Sequence, residues 1–306
     1  MKSRPPGLDE RDVAAALRAG WGLAVEAFEY LPVGFGGYHW LADGAWFVSV
    51  DDLDEKAWLG SARDEVFAGL SAALRTAAAL AVDAVVAPVG EPVRRLADRW
   101  SVAVYPALTV LPEPVPPDDA QRVLAALHTA PAPSFTRVDE VAVPGTDAVR
   151  AALRALNERW DGGPFAEGAR ETLATHAGLV TRLLERIDAT PPAPRDDWVV
   201  THGEPHPGNL LATPAGPRLV DWDTVALAPP ERDLWWLDSH DRYESLTGRA
   251  PDPARLDFYR ARWDAADVAS FTIRLRGPHP GDEDDADSLR YLRETLEHAA
   301  ARAGTG

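Results

Sequence analysis

Two stretches carry the side chains best suited to chemistry: Thr201-His-Gly-Glu-Pro-His-Pro-Gly-Asn-Leu-Leu211 and Arg218-Leu-Val-Asp-Trp-Asp-Thr224. Glu204, Asn209 and Asp221 form an oxygen-rich set. A loop leaving a strand bears the first, an amide follows, and a hairpin returns the second carboxylate at a strand end. Carboxylate and amide oxygens suit a hard cation such as Mg²⁺, which takes one or two protein carboxylates and fills its shell from substrate phosphates. Phosphoryl transfer needs this kit: one acid to orient or deprotonate a hydroxyl, and Asn and Asp to hold metal against phosphates. A plainer alternative is a polar turn capping a hairpin, with His202 satisfied in the core. The recurrence of both metal-ligand types at this spacing favours the first reading.

Zinc is the other chemistry to weigh, because His202 and His206 lie four apart around Glu204. Such a pair faces one metal when it sits on a helix. Pro205 and Pro207 interrupt the span, and proline removes helical hydrogen bonds and clashes with the preceding turn. The helix, and zinc with it, is not expected.

The elements that must position this set read as strands first and helices later, an α+β pattern. Expected strands are 24–30, 38–42 and 45–50, the last two joined by Asp43-Gly44, a strong hairpin signal. A helix is expected over 62–80, then strands over 85–89 and 101–105. Proline-rich Leu111–Pro117 marks a boundary region. Helices over 118–128, 147–159 and 167–187 follow, then a short strand at 198–201 and a hairpin of 209–212 with 218–221. Helices over 232–241, 253–276 and 286–303 complete the chain. The expected division is residues 1–108 and residues 109–306.

Composition narrows the class. A chain of 306 residues with 46% hydrophobic content can bury a core. With no cysteine, disulfides and thiolate metal sites are excluded. A net charge of −17 argues against nucleic acid as partner, and no apolar run is long enough to span a membrane. A cytoplasmic protein acting on a small molecule is expected, and its acidic surface can steer a cationic one.

Gly34-Phe35-Gly36-Gly37 lies between two expected strands, where glycine lets backbone amides approach phosphates. Together with His202-Gly-Glu-Pro-His-Pro-Gly-Asn209 and Val220-Asp-Trp-Asp223, it resembles the aminoglycoside phosphotransferases and their relatives in the protein-kinase-like superfamily. Leu31–Trp40 and Thr224–Trp235 are most similar to the spectinomycin-phosphotransferase-like branch. The resemblance implies a bilobal kinase-like fold: an N-terminal antiparallel sheet lobe with one helix holds ATP or GTP, and a larger helical C-terminal lobe carries catalysis and substrate. It implies Mg²⁺ on Asn209 and Asp221, Glu204 as the catalytic carboxylate, Gly34–Gly37 over the phosphates, and Tyr105-Pro-Ala107-Leu as the hinge that meets the base. Trp235, Asp238, Asp241 and Asp264 would hold a cationic acceptor such as an aminoglycoside or aminocyclitol.

Two positions depart from that pattern. Glu204 stands where the family has Asp, and Ser49 stands where the third strand should carry a phosphate-binding lysine. Glu65 on the following helix remains as that lysine's partner. Lys56, Arg63 and His39 are candidate replacements, although Lys56 reads equally well as a solvated residue among Asp51, Asp52, Asp54 and Glu55. These departures keep open a second reading, a degenerate kinase-like protein that binds a nucleotide or small molecule with little transfer.

Overall fold

The computed structural model describes residues 1–191 and 194–304. The chain divides into two compact units, Met1–Asp139 with Pro194–Asp252, and Glu140–Ala193 with Pro253–Gly306. The first unit opens with helix α1 (Glu10–Trp21), strands β1 (Phe28–Leu31), β2 (Tyr38–Ala42) and β3 (Trp46–Asp52), and helix α2 (Arg63–Ala79). Strands β4 (Arg94–Leu96) and β5 (Trp100–Pro106) and helix α3 (Pro117–Thr129) follow. Helices α4 (Thr146–Arg154), α5 (Ala166–Thr175) and α6 (Ala177–Ala189) belong to the second unit. The chain then returns to the first for β6 (Val199–Thr201), β7 (Leu210–Thr213), β8 (Gly216–Leu219), β9 (Ala226–Ala228), α7 (Glu231–Leu234) and α8 (Asp241–Thr247). Helices α9 (Pro253–Arg276) and α10 (Glu283–Gly304) complete the second unit.

The first sheet is antiparallel throughout, in the order β1-β2-β3-β5-β4. At the β2–β3 turn Asp43 and Gly44 both adopt positive φ, 50° and 66°, the conformation that lets a two-residue turn match strand twist. Because side chains alternate along a strand, the sheet has two distinct faces. Tyr38, Trp40, Val48, Val50, Val102 and Val104 point one way and bury against Val13 and Leu17 of α1. The opposite set includes His39, Ser49 and Ala103 in one cross-strand row, Phe47 and Tyr105 in the next, and Asp51 beyond. That polar face belongs to the candidate site.

The α+β order holds, with local differences, among them the added strand β9 and helix α8. Helix α1 is an addition to the expected elements; most of its apolar residues are alanines, and only Val13 and Leu17 are buried. Expected strand 85–89 splits its backbone bonds, Val86 donating to Leu219 and Val89 to Val104, so it joins neither pairing as a strand; β4 takes the sheet edge. The helix expected over 167–187 breaks at His176, whose backbone leaves helical geometry and whose ring contacts the Thr172 carbonyl. The helix expected over 232–241 shrinks to the single turn of α7.

In the second unit, Val149, Leu173, Val180, Leu184, Val268, Leu275, Leu292 and Leu296 form a core shared by all five helices. No helix among the described residues is long and apolar enough to cross a membrane.

Candidate active site

Strand β6 ends at Thr201 and delivers His202 to a loop with no helical turn through His206, so the geometry a paired-histidine zinc site needs is absent. Among the described residues no three His, Asp or Glu side chains converge as a metal-holding group. A cation here would draw on fewer than three such side chains, with the Asn209 amide and oxygens a ligand brings completing its shell.

The loop is fixed from below by Asp233. Its carboxylate, fully buried, accepts the backbone N–H groups of His202 at 2.6 Å and Gly203 at 2.7 Å, and His128 Nε2 lies 3.1 Å away. Burial alone would raise the Asp233 pKa. The His128 hydrogen bond and the charges of His128 and Arg232 outweigh it and hold the carboxylate below its usual range. From its short helix, Asp233 therefore anchors the loop. Gly203 has φ +101°, and a Cβ there would meet the Arg232 guanidinium at 2.5 Å. Glycine is required by both backbone and space.

His202 joins the loop to the segment that carries Asp221. Its Nε2–H donates to the Val220 carbonyl at 2.8 Å, and its Nδ1 accepts the Glu204 N–H at 3.2 Å. One nitrogen donates and the other accepts, so the ring is neutral. Burial depresses its pKa to about 4, against the opposing pull of Asp233. Asn209 completes the clamp. Its carbonyl accepts the Val220 N–H at 2.9 Å, while its Nδ2 donates to the Glu204 carbonyl at 3.0 Å. That bond orients the side-chain amide and leaves Oδ1 as an acceptor for a cation.

Asp221 follows Val220 with φ +66°, a left-handed conformation that Asp tolerates better than most residues. Its carboxylate accepts no hydrogen bond from a described residue, and it is accessible to solvent. Surrounding protein nevertheless crowds it: burial pushes its pKa up to about 7, Asp223 and Asp51 add to the rise, and Lys56 opposes it. A carboxylate with no hydrogen-bond donor among the described residues, on the segment that Asn209 holds through Val220, fits a divalent cation.

Sequence reasoning undervalued Lys56, Asp51 and Asp223. Lys56 is only 4% exposed, not a solvated loop residue. Its Nζ lies 3.0 Å from Asp51 Oδ1 and 2.6 Å from Asp223 Oδ2. Burial would lower its pKa, but Asp223, Asp51 and Asp221 together raise it well above the usual value and keep it charged. The available signal was rarity, since the chain has one other lysine, Lys2. Glu65 is exposed and accepts from the Ser61 N–H at 2.9 Å and the Ser61 hydroxyl at 2.6 Å. It closes the start of α2 and does not pair with Lys56, Arg63 or His39, which corrects the partner role expected for it.

The remaining nucleotide candidates lie along the polar face and its rim. In the glycine loop the Met1 α-ammonium donates to the carbonyls of Val33, Gly34 and Gly37, at 3.2, 3.0 and 2.7 Å. Phe35 is exposed at the tip, and Gly36 donates to Met1 Sδ. His39 Nδ1 lies 3.0 Å from the Val33 carbonyl; burial lowers its pKa to about 4, so it offers no positive charge at neutral pH. Tyr105, expected at the hinge, has its hydroxyl pKa raised by burial and then by the charges of Asp51, Asp221 and Asp223. The Ala107 N–H, expected at the hinge, donates to the Ala45 carbonyl at 2.8 Å.

Of the acceptor candidates, Trp235 is half-buried just after α7, Asp238 is exposed, and Asp241 is exposed at the start of α8. Asp264 lies in the second unit on α9, buried and ion-paired with Arg302 of α10. Its carboxylate is not open to a cationic ligand.

With this geometry in view, relatives are informative. The sequence matches the profile of the phosphotransferase enzyme family over residues 63–268. Protein StrN of Streptomyces griseus is 31% identical over 234 residues, covering 67% of this chain and 69% of that protein. The spectinomycin phosphotransferase APH(9)-Ia, solved with ADP and spectinomycin, superposes with a TM-score of 0.70 at 17% identity, over 97% of this chain and 99% of that one. A choline/ethanolamine kinase family protein from Mesorhizobium loti gives 0.54 at 19% identity, over 95% and 94%. The fold is therefore kinase-like, and by its family profile and its relative the chain belongs to the phosphotransferase enzyme family.

Proposed function

We propose that this phosphotransferase moves the terminal phosphoryl group of ATP or GTP to a hydroxyl of a cationic small molecule, with aminoglycosides and aminocyclitols as the first class to test. The observation that carries the reading is the Val220 clamp, in which His202 holds its carbonyl and Asn209 its N–H, so that Glu204, Asn209 and Asp221 are held as one group. In this reading residues 1–108 hold the nucleotide and residues 109–306 supply catalysis and acceptor. Solved relatives of the same fold carry ADP, AMP or GDP, which supports a nucleotide donor.

Asn209 Oδ1 and the Asp221 carboxylate would hold Mg²⁺, which when bound neutralises charge on the phosphate oxygens. Glu204 orients the acceptor hydroxyl and takes its proton. The Gly34–Gly37 loop covers the phosphates, and Tyr105 and Ala107 border the base. Trp235, Asp238 and Asp241 supply an aromatic and acidic rim for a cationic acceptor.

The test incubates the protein with Mg²⁺ and ATP or GTP against a panel of hydroxylated amines and follows the mass gain of one phosphoryl group. Transfer to one acceptor class supports the reading. Nucleotide-dependent thermal stabilisation without transfer to any of them favours the binding-protein alternative that Glu204 and Ser49 keep open.

A further inference from the structure

The site's cation comes from outside the sheet. On β3 the position opposite His39 and Ala103 is Ser49, and Glu65 of α2 is bound to Ser61. Neither half of the strand-lysine and helix-glutamate pair that protein kinases use is in place. Arg63 is paired with Asp54 and Asp98, and His39 is neutral. Lys56 remains.

Two carboxylates hold it in place. Lys56 lies just beyond β3 and folds back onto Asp51, which shares the strand face of Ser49 one alternation further on. The loop between them is braced by Arg99, whose Nη2 donates to the buried Asp52 at 2.5 Å. An ammonium has three donors. Asp51 and Asp223 take two; the Nζ also lies 5.2 Å from the centroid of the Trp58 ring, and no oxygen of a described residue takes the third donor. Asp51 and Asp223 thus tie the ammonium to both β3 and the Asp221 segment. An ammonium held there with a donor to spare can take a phosphate oxygen.

We propose that Lys56 contacts the phosphates of the nucleotide in place of the missing strand lysine, with Asp51 as its tether instead of a helix glutamate and Asp223 linking it to the Asp221 segment. The inference rests on the phosphotransferase reading for its ligand. One consequence separates it from the protein-kinase arrangement, in which positioning of a helix makes or breaks the lysine–glutamate pair. Here both members of the Lys56–Asp51 pair lie on β3 and the loop that leaves it, so the pair requires no side chain from α2.

The chain's two lysines make the test direct. Intact protein labelled with [ε-¹⁵N]lysine is titrated with Mg²⁺-ADP and Mg²⁺-GDP, with adenosine and guanosine as controls, while saturation is followed separately by thermal shift. The Lys56 ammonium resonance is expected to move with a diphosphate and to stay put with the nucleoside. A saturated site with an unmoved Lys56 signal overturns the proposal and leaves the phosphotransferase reading standing. Absence of saturation by either nucleotide removes both. Lys56→Met is expected to weaken diphosphate binding about 10- to 100-fold, the range for a hydrogen bond to a charged group. Undiminished affinity in that folded variant also overturns it. If Lys56→Met does not fold, the titration of the unmodified chain decides.

Discussion

The imidazole of His202 donates to the carbonyl of Val220 at 2.8 Å, across eighteen residues of sequence, and so makes the position of the Glu204 loop and that of Asp221 a single variable. The bond requires a neutral, buried ring. A histidine whose folded pKa is about 4, against an ordinary 6.5, leaves the unfolded chain binding more protons between those values. Stability therefore falls as pH drops from about 6.5 towards 4, by up to about 3 kcal/mol from this residue. His202→Gln retains a donor but cannot titrate. Denaturant melts at a series of pH values should show the variant less stable at pH 7 and flatter over that window; an unchanged slope would refute the assignment.

Asp221 presents the opposite case, a side chain placed at a cost to the fold. Its carboxylate has no hydrogen-bond donor among the described residues, and burial and neighbouring anions disfavour its charge. Asn occupies left-handed backbone as readily as Asp. Asp221→Asn should leave the thermal midpoint unchanged or higher while abolishing transfer. A marked fall in the midpoint would show that the carboxylate is structural.

How far the sequence discloses this site depends on the range of the interactions. The Asp43-Gly44 turn and the alternation of Trp40 and His39, or of Val48 and Ser49, are local patterns, and the sheet they imply is present. Glu204, Asn209 and Asp221 stood out because three oxygen-bearing residues of suitable type are close in sequence. Lys56 and Asp223 are separated by 167 residues. Nothing local to Lys56 distinguishes a buried ion pair from a solvated lysine among acids; only the partner does. Glu65 erred in the reverse direction, since a nearby serine satisfies its carboxylate, a competition that a motif spacing does not reveal.

Asp233 and Gly203 carry the loop's stability. Asp233→Ala would leave two buried backbone N–H groups and His128 without their acceptor, a loss of about 3 kcal/mol or more. Gly203→Ala forces a Cβ against Arg232 at a backbone angle L-residues avoid, costing about 1–3 kcal/mol. Both should appear in equilibrium denaturation, together with lost activity. Gly216→Ala serves as a control, because its Cβ would meet nothing within 4 Å although its φ is also positive; it should cost stability without reducing activity in the folded fraction.

Glu204 is the residue on which catalysis and mere binding part company. Its backbone is fixed at both ends of the residue, the N–H to His202 and the carbonyl to Asn209, so side-chain changes act on the carboxylate without releasing the loop. Removing the base with Glu204→Gln should lower transfer by on the order of 10²- to 10⁴-fold. Nucleotide affinity should hold, because the metal ligands and Lys56 are untouched. Glu204→Asp tests reach: with the backbone clamped, withdrawing the carboxylate by one methylene should cost on the order of 10²-fold. A Glu204→Asp variant as fast as the parent would show that the loop adjusts to the shorter acid, and an equally fast Glu204→Gln would remove the carboxylate from the mechanism.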